Sequence, residues 1–111
     1  MATMLRWMTC LILAISLSSC APRASEGDFY SDNPASKLYA IHRAGSARDP
    51  KAVKPLVDLL NDDDPAVRME AINALERITG QRMGYNPYGS VVQRRPAIER
   101  WAAEANSGKW H

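Results

Sequence analysis

A ten-residue pattern occurs twice in this chain, 31 residues apart. Asp32-Asn33-Pro34-Ala35-Ser36-Lys37-Leu38-Tyr39-Ala40-Ile41 aligns with Asp63-Asp64-Pro65-Ala66-Val67-Arg68-Met69-Glu70-Ala71-Ile72. Asp, Pro, Ala, Ala and Ile are identical, and Lys/Arg and Leu/Met are similar. A repeat of this period is one supersecondary unit that must stack on a neighbour to cover its apolar face. Each copy carries its own start signal. Asn33 and Asp64 can accept from the free N–H groups of a first helical turn. Pro34 and Pro65 stand where a missing N–H costs nothing.

Between the copies, Asp49-Pro50 is a third start of the same kind. Val53, Leu56, Val57 and Leu60 follow at i, i+3, i+4, i+7, the spacing of one helical face. Val67, Ala71, Ala74, Leu75 and Ile78 form another face, and Gly80 is a C-cap candidate. Ile98, Trp101, Ala102 and Ala105 form a fourth. The spacing predicts helices over about 34–45, 50–60, 65–79 and 91–106, with a turn-rich loop Gly84-Tyr85-Asn86-Pro87-Tyr88-Gly89 before the last. Nothing reads as a strand. The expected fold is all-α, a short solenoid of antiparallel helix pairs with about four helices. Residues 32–80 hold the repeats, and residues 81–111 a loop and a capping helix.

The 111-residue chain bounds this to one domain. Its N-terminus reads as an export signal: Arg6, an apolar run from Trp7 to Leu17 broken by Thr9 and Ser16, then small residues before Cys20. An uncleaved anchor is the alternative, but the run is shorter than the roughly 20 residues of a bilayer span. Leu17-Ser18-Ser19-Cys20 resembles the lipobox of bacterial lipoproteins, which implies a signal peptide over 1–19, lipidation of Cys20, and a tether over 20–31. Ala21 after the cysteine, rather than an aspartate, then implies the outer membrane in a cell with two. Cleavage leaves 92 residues and removes Cys10, so neither a disulfide nor a cysteine-based metal site is expected. It also removes Arg6 and no acid, lowering the net charge from +2 to +1. That balance argues against nucleic acid as a partner.

Residues 50–80 resemble a HEAT repeat of the variety named after phycobilisome lyases. The resemblance rests on Pro55 in the first helix, Asp63 in the turn, and Val67-Arg68 early in the second. Residues 32–46 resemble the second helix of a preceding repeat. The likeness implies that Asp63 and Arg68 tie the repeats together, with Pro55, Asp64 and Val67 as structural positions. It implies a fold more than a function.

No catalytic constellation is present. Gly-x-Ser-x-Gly, His-Glu-x-x-His and a P-loop are all absent. Asp62-Asp63-Asp64 lacks the alternating spacing and distal Glu of a calcium loop. It reads as a turn residue plus an N-cap. His42 and His111 are too few for a metal site, which needs three or four ligands. Trp101 and Tyr85 read as packing residues of the cap. Tyr88 and Trp110, beside Arg94 and Arg95, are the candidate interaction surface. Together these observations lead to a non-catalytic, membrane-tethered interaction or scaffold module that binds another envelope protein, needing no cofactor or metal. The alternatives are a small lyase-like or chaperone-like cofactor helper, suggested by the resemblance alone, and a purely structural or relic lipoprotein.

Overall fold

A computed structural model describes residues 27–110. The proposed signal peptide, Cys20, most of the tether and His111 lie outside the described residues. Four α-helices carry the fold: α1 (Pro34–Ala47), α2 (Val53–Asp58), α3 (Pro65–Thr79) and α4 (Val91–Ala105). Short 3₁₀ turns, Pro50–Ala52 and Leu59–Asn61, flank α2. No strand occurs among the described residues. No described helix is long and apolar enough to cross a membrane.

The start signals act as their chemistry dictates. Asn33 Oδ1 accepts from Ala35 N–H at 3.0 Å, Asp49 Oδ1 from Lys51 N–H at 3.0 Å, and Asp64 Oδ1 from Ala66 N–H at 2.9 Å. In each case proline fills the first helical position, so the cap serves the next free donor. Gly80 closes α3 with φ 79°, and its N–H donates to Glu76 O. Two expectations are refined. The predicted helix over 50–60 is a 3₁₀–α–3₁₀ run, in which Pro55 lacks the N–H that a continuous α-helix would bond to the carbonyl four residues back. α1 runs on to Ala47 and ends at Arg48, a non-glycine residue in the left-handed region.

Gly45, inside α1, has a different purpose. A Cβ there would lie 3.2 Å from the Ala74 Cβ, so its absence lets α1 and α3 approach closely. The two helices run side by side in the same direction. Lys37 near the start of α1 pairs with Asp62 just before α3, and Gly45 near the end of α1 meets Ala74. α2 crosses back between the starts and ends of its neighbours and packs on α3. Ile41, Val53, Leu56, Leu60, Val67, Ile72 and Leu75 are fully enclosed between them. These are the residues of the apolar stripes, so the periodic pattern sets the core.

The segment before α1 adds to the same core. Phe29 packs against it, Asp28 N–H donates to Ser36 Oγ at 3.1 Å, and Tyr30 Oη–H donates to Asp58 Oδ2 at 2.9 Å. The last described residues of the proposed tether are thus part of the domain.

Candidate functional site

The C-terminal quarter of the domain is built differently. After Gly80 the chain does not turn directly into a helix. Residues 81–89 run back along α3, from its end to its start. Arg82 lies near the end of α3, where its guanidinium bonds Asn73 and Glu76, and Pro87 lies beside Arg68 in the first turn. α4 then starts at the same end as α3 and packs antiparallel on α2. This reversal makes α4 a cap on the array. A first helix of a regular next repeat would run the other way.

The return segment has few side chains of its own to bury, and its main-chain carbonyls are gripped by side chains from both flanking helices. Trp101, fully enclosed, donates its Nε1–H to Arg82 O at 3.1 Å. Arg100 donates from Nε and Nη2 to Met83 O at 3.2 and 2.8 Å. Arg68 donates from Nε to Pro87 O at 3.0 Å, and Arg94 from Nη1 to Gly89 O at 2.7 Å. In the middle, Tyr85 turns inward and donates its Oη–H to Leu60 O at 2.5 Å. Burial raises the Tyr85 phenol above its ordinary value of 10.0, against the opposing charges of Arg94 and Arg68. Buried main-chain carbonyls need partners, and these long polar side chains supply them.

Ser90 then opens α4 with a reciprocal capping box. Its Oγ accepts from Gln93 N–H at 3.2 Å, and Gln93 Oε1 accepts from Ser90 N–H at 2.9 Å. Tyr88 lies on the outer side of the clamped loop, 72% exposed, followed by Val91 at 57% and Val92 at 71%. Three large apolar side chains are therefore presented to solvent on backbone that is held from beneath.

The residues singled out from sequence fall into three groups. Tyr88 and Arg95 are exposed on this face. Arg94 is not: it is 6% exposed, because its guanidinium folds under the loop to reach Gly89. It is removed from the surface patch on that ground. Trp110 is half-buried at a distance from Tyr88. Its Nε1–H donates to Glu104 Oε1 at 3.3 Å, and Lys109 Nζ lies 5.4 Å from its ring. Trp110 walls an open groove of about 500 Å³ shared with Lys51, Lys54 and the end of α4. The exposed pair Val91 and Val92 was not among the residues picked from sequence.

The repeat positions also need one correction. Arg68 does reach the Asp63 position, but through the main chain. Its Nη1 donates to Asp62 O at 2.8 Å and Asp63 O at 3.0 Å, while the Asp63 carboxylate is exposed. The side-chain tie between successive repeat helices belongs to Asp62. It accepts from Lys37 Nζ at 2.6 Å and from Asp64 N–H at 2.9 Å. Burial pushes the Asp62 carboxyl up, but the Lys37 hydrogen bond, the Asp64 N–H and the charges of Lys37 and Arg68 outweigh it, leaving it below 3.8. Asp64 is the α3 cap, Val67 is core, and Pro55 is half-buried in α2. His42 is exposed. No group of three or more metal-ligating side chains occurs among the described residues.

Comparison with known proteins agrees with this architecture. The family model for HEAT repeats matches residues 29–85, just over half of the chain. No curated protein and no solved structure matches. The matched span covers α1 to α3 and stops at Tyr85, where the reversed cap takes over. On this match and its paired helices, the chain belongs to the HEAT-repeat family.

Proposed function

We propose that this protein is a non-catalytic interaction module, lipid-anchored in the bacterial cell envelope through Cys20, that binds another envelope protein with the face around Tyr88. HEAT repeats generally mediate protein–protein interaction, which favours a protein partner. The observation that carries the reading is the exposed trio Tyr88, Val91 and Val92 on a clamped loop. Aromatic side chains on a preorganised backbone bind with little further ordering cost, and they are enriched where binding energy concentrates. The anchoring rests on the residues around Cys20, and two acyl chains on one cysteine would hold the protein at a membrane. In a cell with two membranes, Ala21 after the lipidated cysteine favours the periplasmic side of the outer membrane.

The test is in-cell crosslinking of the tagged full-length protein followed by mass spectrometry. One recurrent partner is expected, lost in Tyr88→Ala while the fold is retained. An unchanged set of crosslinked proteins in that variant would overturn the assignment of the face. Membrane fractionation of Cys20→Ser tests the anchor, with release to the soluble fraction expected and retention in the membrane contradicting it.

A further inference from the structure

We infer that the domain stands on an anionic lipid surface with the end formed by the last turns of α1, α3 and α4 and the start of α2, which turns the Tyr88 face away from that surface. The inference rests on the lipid anchoring proposed above and specifies which end of the domain meets the headgroups.

The first observation is a separation of charge along the helix axes. Arg48, Lys51, Lys54 and Arg77 are exposed at this end, and none is in an ion pair among the described residues. Arg77 reaches across to α1, where its Cδ lies 3.6 Å from the place a Gly45 Cβ would take. The acids here are already engaged. Asp49 caps the turn Pro50–Ala52, Glu76 holds Arg82, and Glu104 accepts from Trp110 and lies 3.6 Å from Lys109. The opposite end carries Asp28, Asp32, Asp58, Asp62, Asp63 and Asp64. Of its cations, Lys37 is paired with Asp62, and Arg68 and Arg94 are buried, which leaves Arg95 exposed.

Helix polarity accounts for only half of the basic end. Arg48 and Arg77 stand where helices close, and cations are favourable there. Lys51 and Lys54 stand at the start of the 50–61 run, where cations work against the helix and an outside anion would offset them.

The second observation is the direction in which the chain enters the domain. Asp28 N–H bonds Ser36 Oγ, and Gly27 lies against Tyr39 and Ala40. A Cβ on Gly27 would stand 2.7 Å from Tyr39 Cδ1 and 3.1 Å from the Ala40 backbone. Followed back from Asp28 to Gly27, the chain therefore moves along α1 toward its basic end. From Ala40 to Ala47 is about 10 Å along the helix axis. Six residues separate Cys20 from Gly27. They reach at most about 25 Å, enough for either end of the domain to meet the membrane, so direction and charge select the end.

Trp110 adds the third observation. Its half-buried ring walls the groove shared with Lys51 and Lys54, and Lys109 Nζ lies 5.4 Å from the ring centre. An indole among ammonium groups suits the headgroup layer, where aromatic rings settle and lysines meet anionic lipid. The acidic end is repelled by the same surface. Opposite charges at two ends would also fit a second copy, but that pairing leaves the entry direction of the chain without a role.

The test uses the full-length protein, processed in cells and labelled with ¹⁵N, in phosphatidylglycerol nanodiscs carrying a trace of gadolinium-chelating headgroup. Phosphatidylcholine discs with the same trace are the comparison. In phosphatidylglycerol, the amides of residues 48–54 and 108–110 are expected to lose intensity, and those of Tyr88, Val91 and Val92 to keep it. The contrast is expected to fall in phosphatidylcholine, and in a variant carrying Lys51→Glu and Lys54→Glu, whose changed side chains are exposed. Protein that leaves the discs would overturn the anchor and the orientation with it. Protein that stays but loses intensity equally at both ends, or first at Tyr88, would overturn the orientation alone. A contrast undiminished in phosphatidylcholine would remove the anionic headgroups from the account. Resonance shifts at 51–54 and 62–64 that grow together with the number of copies per disc would overturn it in favour of end-to-end association.

Discussion

The repeat body and the C-terminal cap reach the same order by different physics. In α1 to α3, apolar side chains recur at helical spacing, and their burial on one another holds the fold. Three of the side-chain hydrogen bonds there cap helix starts, at Asn33, Asp49 and Asp64. In residues 81–105 the apolar contribution shrinks to Tyr85, Ala97, Trp101 and a few half-buried neighbours. The return segment is held instead by Arg68, Arg94, Arg100 and the Trp101 indole, each bonded to a main-chain carbonyl. A periodic core builds an array. Directed polar clamps fix a single loop in one conformation, as a presented surface requires.

The sharpest way to break the comparison is Trp101→Ala. It removes the largest fully buried side chain and one clamp together. A loss of about 3–5 kcal/mol is expected in urea unfolding, against about 2–5 for Leu75→Ala in the body. If the cap is coupled to the body as described, both variants unfold in one transition. Two separated transitions would divide them.

Next in size is Arg68, which bridges the two regions. Arg68→Ala leaves three main-chain carbonyls without their donor and should lower stability by about 1–3 kcal/mol. Asp63→Ala should change it by less than about 0.5 kcal/mol, since the carboxylate is exposed. Equal losses from the two would restore the ion-pair reading that the geometry removes.

Tyr85→Phe isolates one clamp. It should cost about 1 kcal/mol by leaving Leu60 O unpaired. Because burial raises the Tyr85 phenol, the unfolded chain ionises first as pH rises. The stability tied to it is therefore complete below pH 10.0 and lost above it. Tyr85→Phe should flatten that alkaline limb, visible in unfolding midpoints across the range. The body has the mirror case. Asp62 is held below 3.8, so its contribution is present above that pH and lost as the pH falls through the lowered value. Lys37→Met should make the acid limb shallower, and because the Asp62 hydrogen bond also raises the Lys37 ammonium above 10.5, it should remove that pair's share of the alkaline loss as well.

The smallest expected effect on stability is at the proposed interface. Tyr88→Ala should stay within about 0.5 kcal/mol, because the side chain is exposed and its loop is held by others. A large loss would show that Tyr88 is structural.

The body was legible because its signals are local and periodic. Asn33-Pro34, Asp49-Pro50 and Asp64-Pro65 announce starts, and the stripes through Leu56, Leu60, Ala71 and Leu75 mark the buried faces. The cap was legible only in part. The face of Ile98, Trp101, Ala102 and Ala105 identified α4, but no pattern gives the direction in which a helix is approached. The reversal depends on the length of the 81–89 connection and on contacts far apart in sequence. Arg94 read as surface charge because an arginine beside a second arginine at a helix start resembles a solvated face, and its reach back to Gly89 is a tertiary fact. Val91 lies seven residues before Ile98, on the extension of the apolar stripe, so the pattern would bury it. Its exposure follows from where the return segment ends.

A binding face at Tyr88 requires its loop to be preorganised. Backbone ¹⁵N relaxation of the full-length protein tests it most directly. Order parameters for residues 85–90 are expected close to those of α3, about 0.85 as in rigid backbone. Values below about 0.6 across that loop, with α3 still rigid, would contradict it.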